Sequence, residues 1–239
     1  MLEQLQAGAA LLGCELSEAQ LALFDRFRAE VLDWNQRINL TSITDHDGIE
    51  VRHFLDSLTV LAAIGQQKPG TALRILDVGS GAGLPGVPLA IVLPEARVTL
   101  LEATGKKVVF LSHLVEVLSL RNTTVLTGRA EDLGQTHWHR ESYDIVVARA
   151  VAPLAALAEL CLPFAALGGR FVALKKGDLA SEIATTATAV ARLGGTPVRV
   201  VAVTLPQLAD GRCLVVSDKS RPTPERFPRR PGMPAKHPL

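Results

Sequence analysis

The segment LDVGSGAGLPGVP, Leu76 to Pro88, places four glycines within eight residues directly after an apolar run. That density has a physical use: the chain turns sharply and its backbone N–H groups approach a ligand closely. Read from Gly81, the loop has the G-x-G-x-x-G spacing of dinucleotide sites. Read from Asp77, it has the spacing D-x-G-x-G-x-G. The neighbouring acids bear on the choice. Asp77 ends the apolar run two residues before Gly79, Glu102 ends the next run, RVTLLE, and Glu131 and Asp132 follow the third in GRAED.

Carboxylates at three successive strand ends disfavour a pyrophosphate, which prefers bare N–H donors. They suit a cationic ligand without phosphate. S-adenosylmethionine, with its sulfonium, ammonium and carboxylate, is the expected cofactor, held by Asp77, Gly79, Gly81, Gly83 and Glu102. Glu102 alone does not discriminate, because dinucleotide sites also set an acid against the ribose.

Cations follow the later runs. Arg129, Arg149 and Lys175 come after the third, fourth and fifth, and all three are expected at the cleft mouth. RHFLDSL sets Arg52, His53 and Asp56 on one side of a helix whose other side is apolar, with His53 and Asp56 close enough to touch. That face either closes over the cleft and holds RNA or is an ion-paired surface. Asn39, in NLT, either caps a turn or meets a base edge. The HWH triplet lacks the further ligands a metal needs, so no metal is expected.

Positioning these residues takes a particular order of elements. Ser17 and Gln20 form a capping box, and Leu21, Phe24, Phe27, Val31, Trp34 and Ile38 make one apolar stripe behind it. A second helix is predicted from Asp47 to Ile64, followed by a linker, GQQKPGT. From Leu73, LRILDV, RVTLLE, TTVLTG, YDIVVA and RFVALK read as buried parallel strands alternating with helices. PVRVVAVTL and RCLVVSDK read as a closing hairpin. The fold class is α/β, a Rossmann-like doubly wound sheet with its last strand antiparallel and a helical extension at the N-terminus. Expected units are 1–70, helical; 71–218, cofactor-binding; and 219–239, a basic, proline-rich tail.

Aromatic residues are only 4%, so Leu, Val and Ala must fill the core. Three scattered cysteines argue against a disulfide framework and for a reducing, cytoplasmic setting. The opening MLEQLQAGAALLG lacks the basic start of an export signal, and no apolar run is long enough to span a membrane. The net charge of +1 hides a tail, from Lys219 onward, with six basic residues and one acid. Arg229, Arg230 and Lys236 in that tail are expected on RNA phosphates.

LDVGSGAGLPGVPLAIV, LLEATGKKVVFL, GRAED, ARAVAPL, RHFLDSL and RRPGMPAKHPL together resemble the bacterial ribosomal RNA small subunit methyltransferase G family, also called glucose-inhibited division protein B. The resemblance runs from about Trp34 to Leu239. It implies a class I methyltransferase fold and transfer of a methyl group to N7 of a guanosine in 16S ribosomal RNA, free or in the small subunit. The family's cofactor contacts then fall on Gly79, Leu84, Ala130, Glu131 and Arg149, with Glu102, Ala103 and Thr104 near the ribose. LKKG, where the family has a single lysine, leaves open whether Lys175 or Lys176 enters the cleft.

N7 carries a free lone pair, so its methylation requires no general base. ARAVAP is not the signature of exocyclic-amine methylation, and no cysteine stands ready to attack a pyrimidine ring. Catalysis by positioning is expected, with Arg149, Lys175, His53 and Asn39 as the positioning residues. An NAD-dependent oxidoreductase, from GAGLPG, and a non-catalytic RNA-binding module are the competing readings.

Overall fold

The computed structural model describes residues 2–65, 72–149 and 152–239. The chain starts with α1 (Glu3–Leu11) and α2 (Glu18–Asn35). The capping box at the start of α2 is formed: Gln20 N–H donates to Ser17 Oγ at 3.3 Å, and Ser17 N–H to Gln20 Oε1 at 3.0 Å. Phe24, Phe27 and Val31 of the stripe are buried, and Leu21, Trp34 and Ile38 pack beside them.

The second helical stretch differs from the expected single helix. It runs through α3 (His46–Ile49), a π-helical turn (Glu50–Leu55), α4 (Asp56–Leu58) and α5 (Leu61–Ile64). Its cap is Asp45, whose Oδ1 accepts from Gly48 N–H. The wide turn shifts side chains around the axis. His53 and Asp56, expected beside solvent-facing Arg52, are thereby turned inward, to 7% and 1% exposure. Glu50 is buried too, accepting from Leu5 N–H at 2.8 Å.

Then follow β1 (Arg74–Val78), α6 (Gly86–Val92), β2 (Arg97–Glu102), α7 (Gly105–Val117), β3 (Thr123–Thr127), α8 (Ala130–Leu133), β4 (Tyr143–Arg149) and α9 (Leu154–Cys161). They are completed by β5 (Ala165–Lys176), α10 (Ala180–Arg192), β6 (Arg199–Ala202), β7 (Arg212–Asp218) and α11 (Met233–Lys236). The sheet order is β3-β2-β1-β4-β5-β7-β6. Strands β1 to β5 are parallel, and β7 runs antiparallel to both neighbours, as the hairpin requires.

Period-two alternation divides the core into two layers. Ile75, Val98, Val147 and Val172 face the N-terminal helices, α6 and α7. Leu76, Leu101, Val146 and Phe171 face α9, α10 and the tail. The order reverses between β1 and β4, which opens a crevice at the carboxyl ends of the strands. The linker expected at Gly65–Thr71 lies, from residue 66, outside the described residues, as do Ala150 and Val151 of ARAVAP. No helix among the described residues is long and apolar enough to cross a membrane.

Candidate functional site

A cavity of about 550 Å³ lies in that crevice, a volume suited to a small cofactor. Its wall takes Gly79 to Ala82 and Leu84 from the loop after β1, Glu102, Ala103 and Thr104 after β2, and Gly128 to Glu131 after β3. Arg149 from β4, His53, and Leu40 and Thr41 close other sides. Gly79, Gly81 and Gly83 have φ of +75°, +56° and +86°. A Cβ on Gly81 would meet Gly79 O at an ordinary contact distance of 3.8 Å, so only its backbone conformation demands glycine there. Gly86 is required for packing: a Cβ would collide with Leu100 and lie 2.8 Å from Asp77 Oδ2.

Glu102 ties two loops together. Oε2 accepts from Gly81 N–H at 3.0 Å, while Oε1 accepts from Ala103 and Thr104 N–H at 2.9 and 2.8 Å. The acid expected near a ribose thus also fixes the glycine loop.

Asp77 corrects the charge argument. It is fully buried beneath the loop and does not line the cavity. Oδ2 accepts from Gly86 N–H at 2.9 Å, and Oδ1 has no hydrogen-bond partner. Burial raises its pKa to about 7, with Gly86 N–H and the Arg149 charge pulling back and Glu102 adding to the rise. Asp77 therefore shapes the loop from below. Gly83 too stands behind the wall, toward Val87 and the α7 leucines.

An acid whose pKa is raised on folding adds stability that is full below its unfolded value, 3.8, and is lost as pH rises through 7. Asp77→Asn is expected to remove that dependence. Between about pH 4 and 7 the stability difference, variant minus wild type, should climb by at most about 1.4 kcal/mol per pH unit. Urea unfolding across that range reads it, and a constant difference would refute the assignment.

Arg149 joins the helical segment to the sheet. Nη1 donates to Asp56 Oδ2 and to Arg52 O, both at 3.1 Å, and Nη2 stands 3.4 Å from His53 Nδ1. Arg212 of β7 pairs with the same Asp56 Oδ2 at 2.7 Å. Burial pushes the Asp56 carboxyl up, and the two guanidiniums pull it back. His53 Nε2 meets Thr41 Oγ1 at 2.7 Å. Burial and the Arg149 charge lower its pKa to about 4, so the imidazole is neutral at pH 7. His53 and Asp56, whose spacing lets them touch, both face Arg149.

The other expected residues divide. Arg129 lies in the wall and is exposed. Asn39 is exposed next to the wall residue Leu40, and Arg52 pairs with Asp45 at 3.5 Å outside the wall. Neither Lys175 nor Lys176 lines the cavity. α10 brings Glu182 to the end of β5, where its Oε1 takes Lys175 Nζ at 2.8 Å; Lys176 is exposed. Arg229, expected on phosphate, grips the buried Glu159 of α9. Arg230 and Lys236 are exposed. Of the HWH triplet, His139 Nδ1 meets Tyr143 OH at 2.9 Å and the His137 ring packs on Trp138.

Sequence reasoning missed Leu40, Thr41, Lys107, Gly232 and Ala235 in the wall. Asn35 was the available signal for the first two: its Oδ1 accepts from the N–H groups of Leu40 and Thr41 at 2.9 and 3.0 Å. The other three carried none.

Cavity and wall residues fit the expected cofactor. Glu102 and Glu131 offer acceptors to hydroxyl and amino groups, and Arg149 offers a cation to a ligand carboxylate; Arg129 and Lys107 are two further cations in the wall. Among relatives, the chain is 49% identical to the ribosomal RNA small subunit methyltransferase G of Roseiflexus sp. (strain RS-1), over 95% of each chain. It is 47% identical to that of Dehalococcoides mccartyi (strain CBDB1), over 100% of each. A SAM-dependent O-methyltransferase structure from Thermotoga maritima shares the fold at 16% identity, with a TM-score of 0.51 over 81% of this chain and 72% of that one. The dinucleotide oxidoreductase and non-catalytic readings find no support. The family model described as rRNA small subunit methyltransferase G matches residues 20–209, and the chain belongs to that family.

Proposed function

We propose that the protein transfers a methyl group from S-adenosylmethionine to N7 of a guanosine in 16S ribosomal RNA. S-adenosylmethionine supplies the methyl group, carried on a sulfonium. Glu102, Ala103 and Thr104 receive the ribose side, Ala130 and Glu131 the adenine side, and Arg149 the carboxylate. The proposed units are 1–70, 71–218 and 219–239: described residues of the first border the cavity through Leu40, Thr41 and His53, and the tail packs on the second through Phe227 and Arg229.

One observation carries the choice of atom: acids and imidazole near the transfer end are already committed. Asp56 faces two guanidiniums, Glu102 holds three N–H groups, and His53 is neutral with a lowered pKa. Cys161 and Cys213 are buried and do not line the cavity. That inventory suits a nucleophile whose lone pair is free, so that positioning suffices. Arg129 and the exposed Arg230 and Lys236 are the phosphate contacts of this reading; Arg52 stands at the rim.

The test incubates the protein and labelled cofactor with free 16S RNA, partly assembled subunits and mature small subunits, then maps the modified nucleotide. One 7-methylguanosine is expected. A methyl group on an exocyclic amine or ring carbon would overturn the choice of atom, and no transfer to any form would overturn the activity.

A further inference from the structure

The tail after Lys219 is clasped to the body along its length. Lys219 is buried, donating to Leu162 O at 2.8 Å and to Thr223 Oγ1, and pairing with Glu141 at 3.2 Å. Arg140 reaches across with Nη1 to Phe227 O and Nη2 to Thr223 O, both at 2.7 Å. Phe227 sits in the core beside α9. Prolines lower the entropy lost in ordering such a segment.

Past Phe227 the tail turns to a second task. Arg229 meets Glu159 in a fork, Nε to Oε1 at 2.8 Å and Nη2 to Oε2 at 2.6 Å, and its own N–H donates to Oε1 at 2.8 Å. Glu159 has zero exposure in an otherwise apolar helix, LAALAELC. A buried carboxylate is tolerated only when paired, and the partner here is Arg229 of the tail. Three residues on, Gly232 N–H donates to Glu131 Oε1 at 2.9 Å, and Gly232 and Ala235 enter the cavity wall.

That part of the wall belongs to the β3 side. β3 and β4 are separated in the sheet by β2 and β1, about 14 Å at the usual strand spacing. Arg149 marks the end suited to a ligand carboxylate. Ala130, Glu131, Gly232 and Ala235 offer backbone, small side chains and one acceptor, which suit a flat, uncharged ring bearing an amino group.

We propose that the strap Arg229–Ala235 is a working wall of the cofactor cavity, and that the Glu159–Arg229 pair is the positioning element setting affinity for the cofactor's adenosyl end. The inference rests on the methyltransferase reading. It divides the tail, with Arg229 turned inward for the cofactor and Arg230 and Lys236 outward. Calorimetric titration of the full chain with S-adenosylmethionine and S-adenosylhomocysteine tests it, on wild type, R229A, R229K and a chain ending at Pro231. Removing residues 232–239 should raise both dissociation constants about tenfold, about 1.4 kcal/mol. R229A should act in the same direction, and R229K should lie between, because lysine keeps the charge but loses the fork. In R229A, which keeps Arg230 and Lys236, the KM for cofactor should rise in step with the dissociation constant while the KM for RNA stays as in wild type, a split that a merely structural defect would not produce. A shortened chain that keeps its melting temperature and binds both ligands as wild type does would overturn the proposal. So would a loss confined to RNA affinity. Failure of the wild type itself to bind S-adenosylmethionine would instead defeat the underlying methyltransferase reading.

Discussion

Asp56→Ala should lower the melting temperature by roughly 6–20 °C, which corresponds to about 3–5 kcal/mol for a chain of this size. Asp56 is 1% exposed and holds Arg149 at 3.1 Å and Arg212 at 2.7 Å. Alanine leaves two largely buried guanidiniums facing each other without that acceptor. Such a loss is greater than the net worth of the pair, because the remaining charges stay desolvated. Arg212 keeps Asp210 at 3.1 Å, which places the result toward the lower end. Asp56→Asn, retaining an oxygen but no charge, should fall between. Asp33→Ala is the control. Its pair with Arg37 is about half exposed on each side, and surface pairs contribute about 1 kcal/mol or less. Thermal unfolding of the three variants decides: an Asp56→Ala loss no greater than that of Asp33→Ala would mean that the cluster does not join helix to sheet.

Glu102→Ala should weaken S-adenosylmethionine binding about 100-fold, or about 2.7 kcal/mol. One carboxylate there orders three N–H groups from two loops, and hydrogen bonds to a charged acceptor are the stronger kind. Without it the loops after β1 and β2 lose their common tie, and binding must then order them. Glu102→Gln should lose roughly tenfold, since one carbonyl oxygen serves Gly81 or the Ala103–Thr104 pair, but not both as strongly. Calorimetry on folded variants reads both values. Wild-type affinity in the alanine variant would remove Glu102 from the cofactor site.

Asp56 and Glu102 both stand out in the sequence as acids, and both have roles that the chain order does not express. Asp56 looked like a partner for His53 three residues away. Its partners are 93 residues on, at Arg149, and on β7, at Arg212. Asp77 looked like a charge facing the ligand, yet it lies beneath the glycine loop.

What could be read from the residue order was local or periodic. The Ser17–Gln20 cap, the stripe of α2, the alternating apolar runs of β1 to β5 and the positive-φ glycines all follow from neighbours within a few positions. Steric and hydrogen-bond preferences act at that range whatever the rest of the chain does. Those signals were enough for the sheet and the crevice; the kind of ligand rests on the family resemblance, because Asp77, the acid that spoke for it, lies beneath the loop. Burial and pairing of charges are settled otherwise. Arg229 is 70 residues from Glu159, and Lys175 meets a glutamate on the following helix. Whether such a cation faces RNA or a buried acid depends on which helix packs beside it, and that is decided only when the sheet order brings distant segments together.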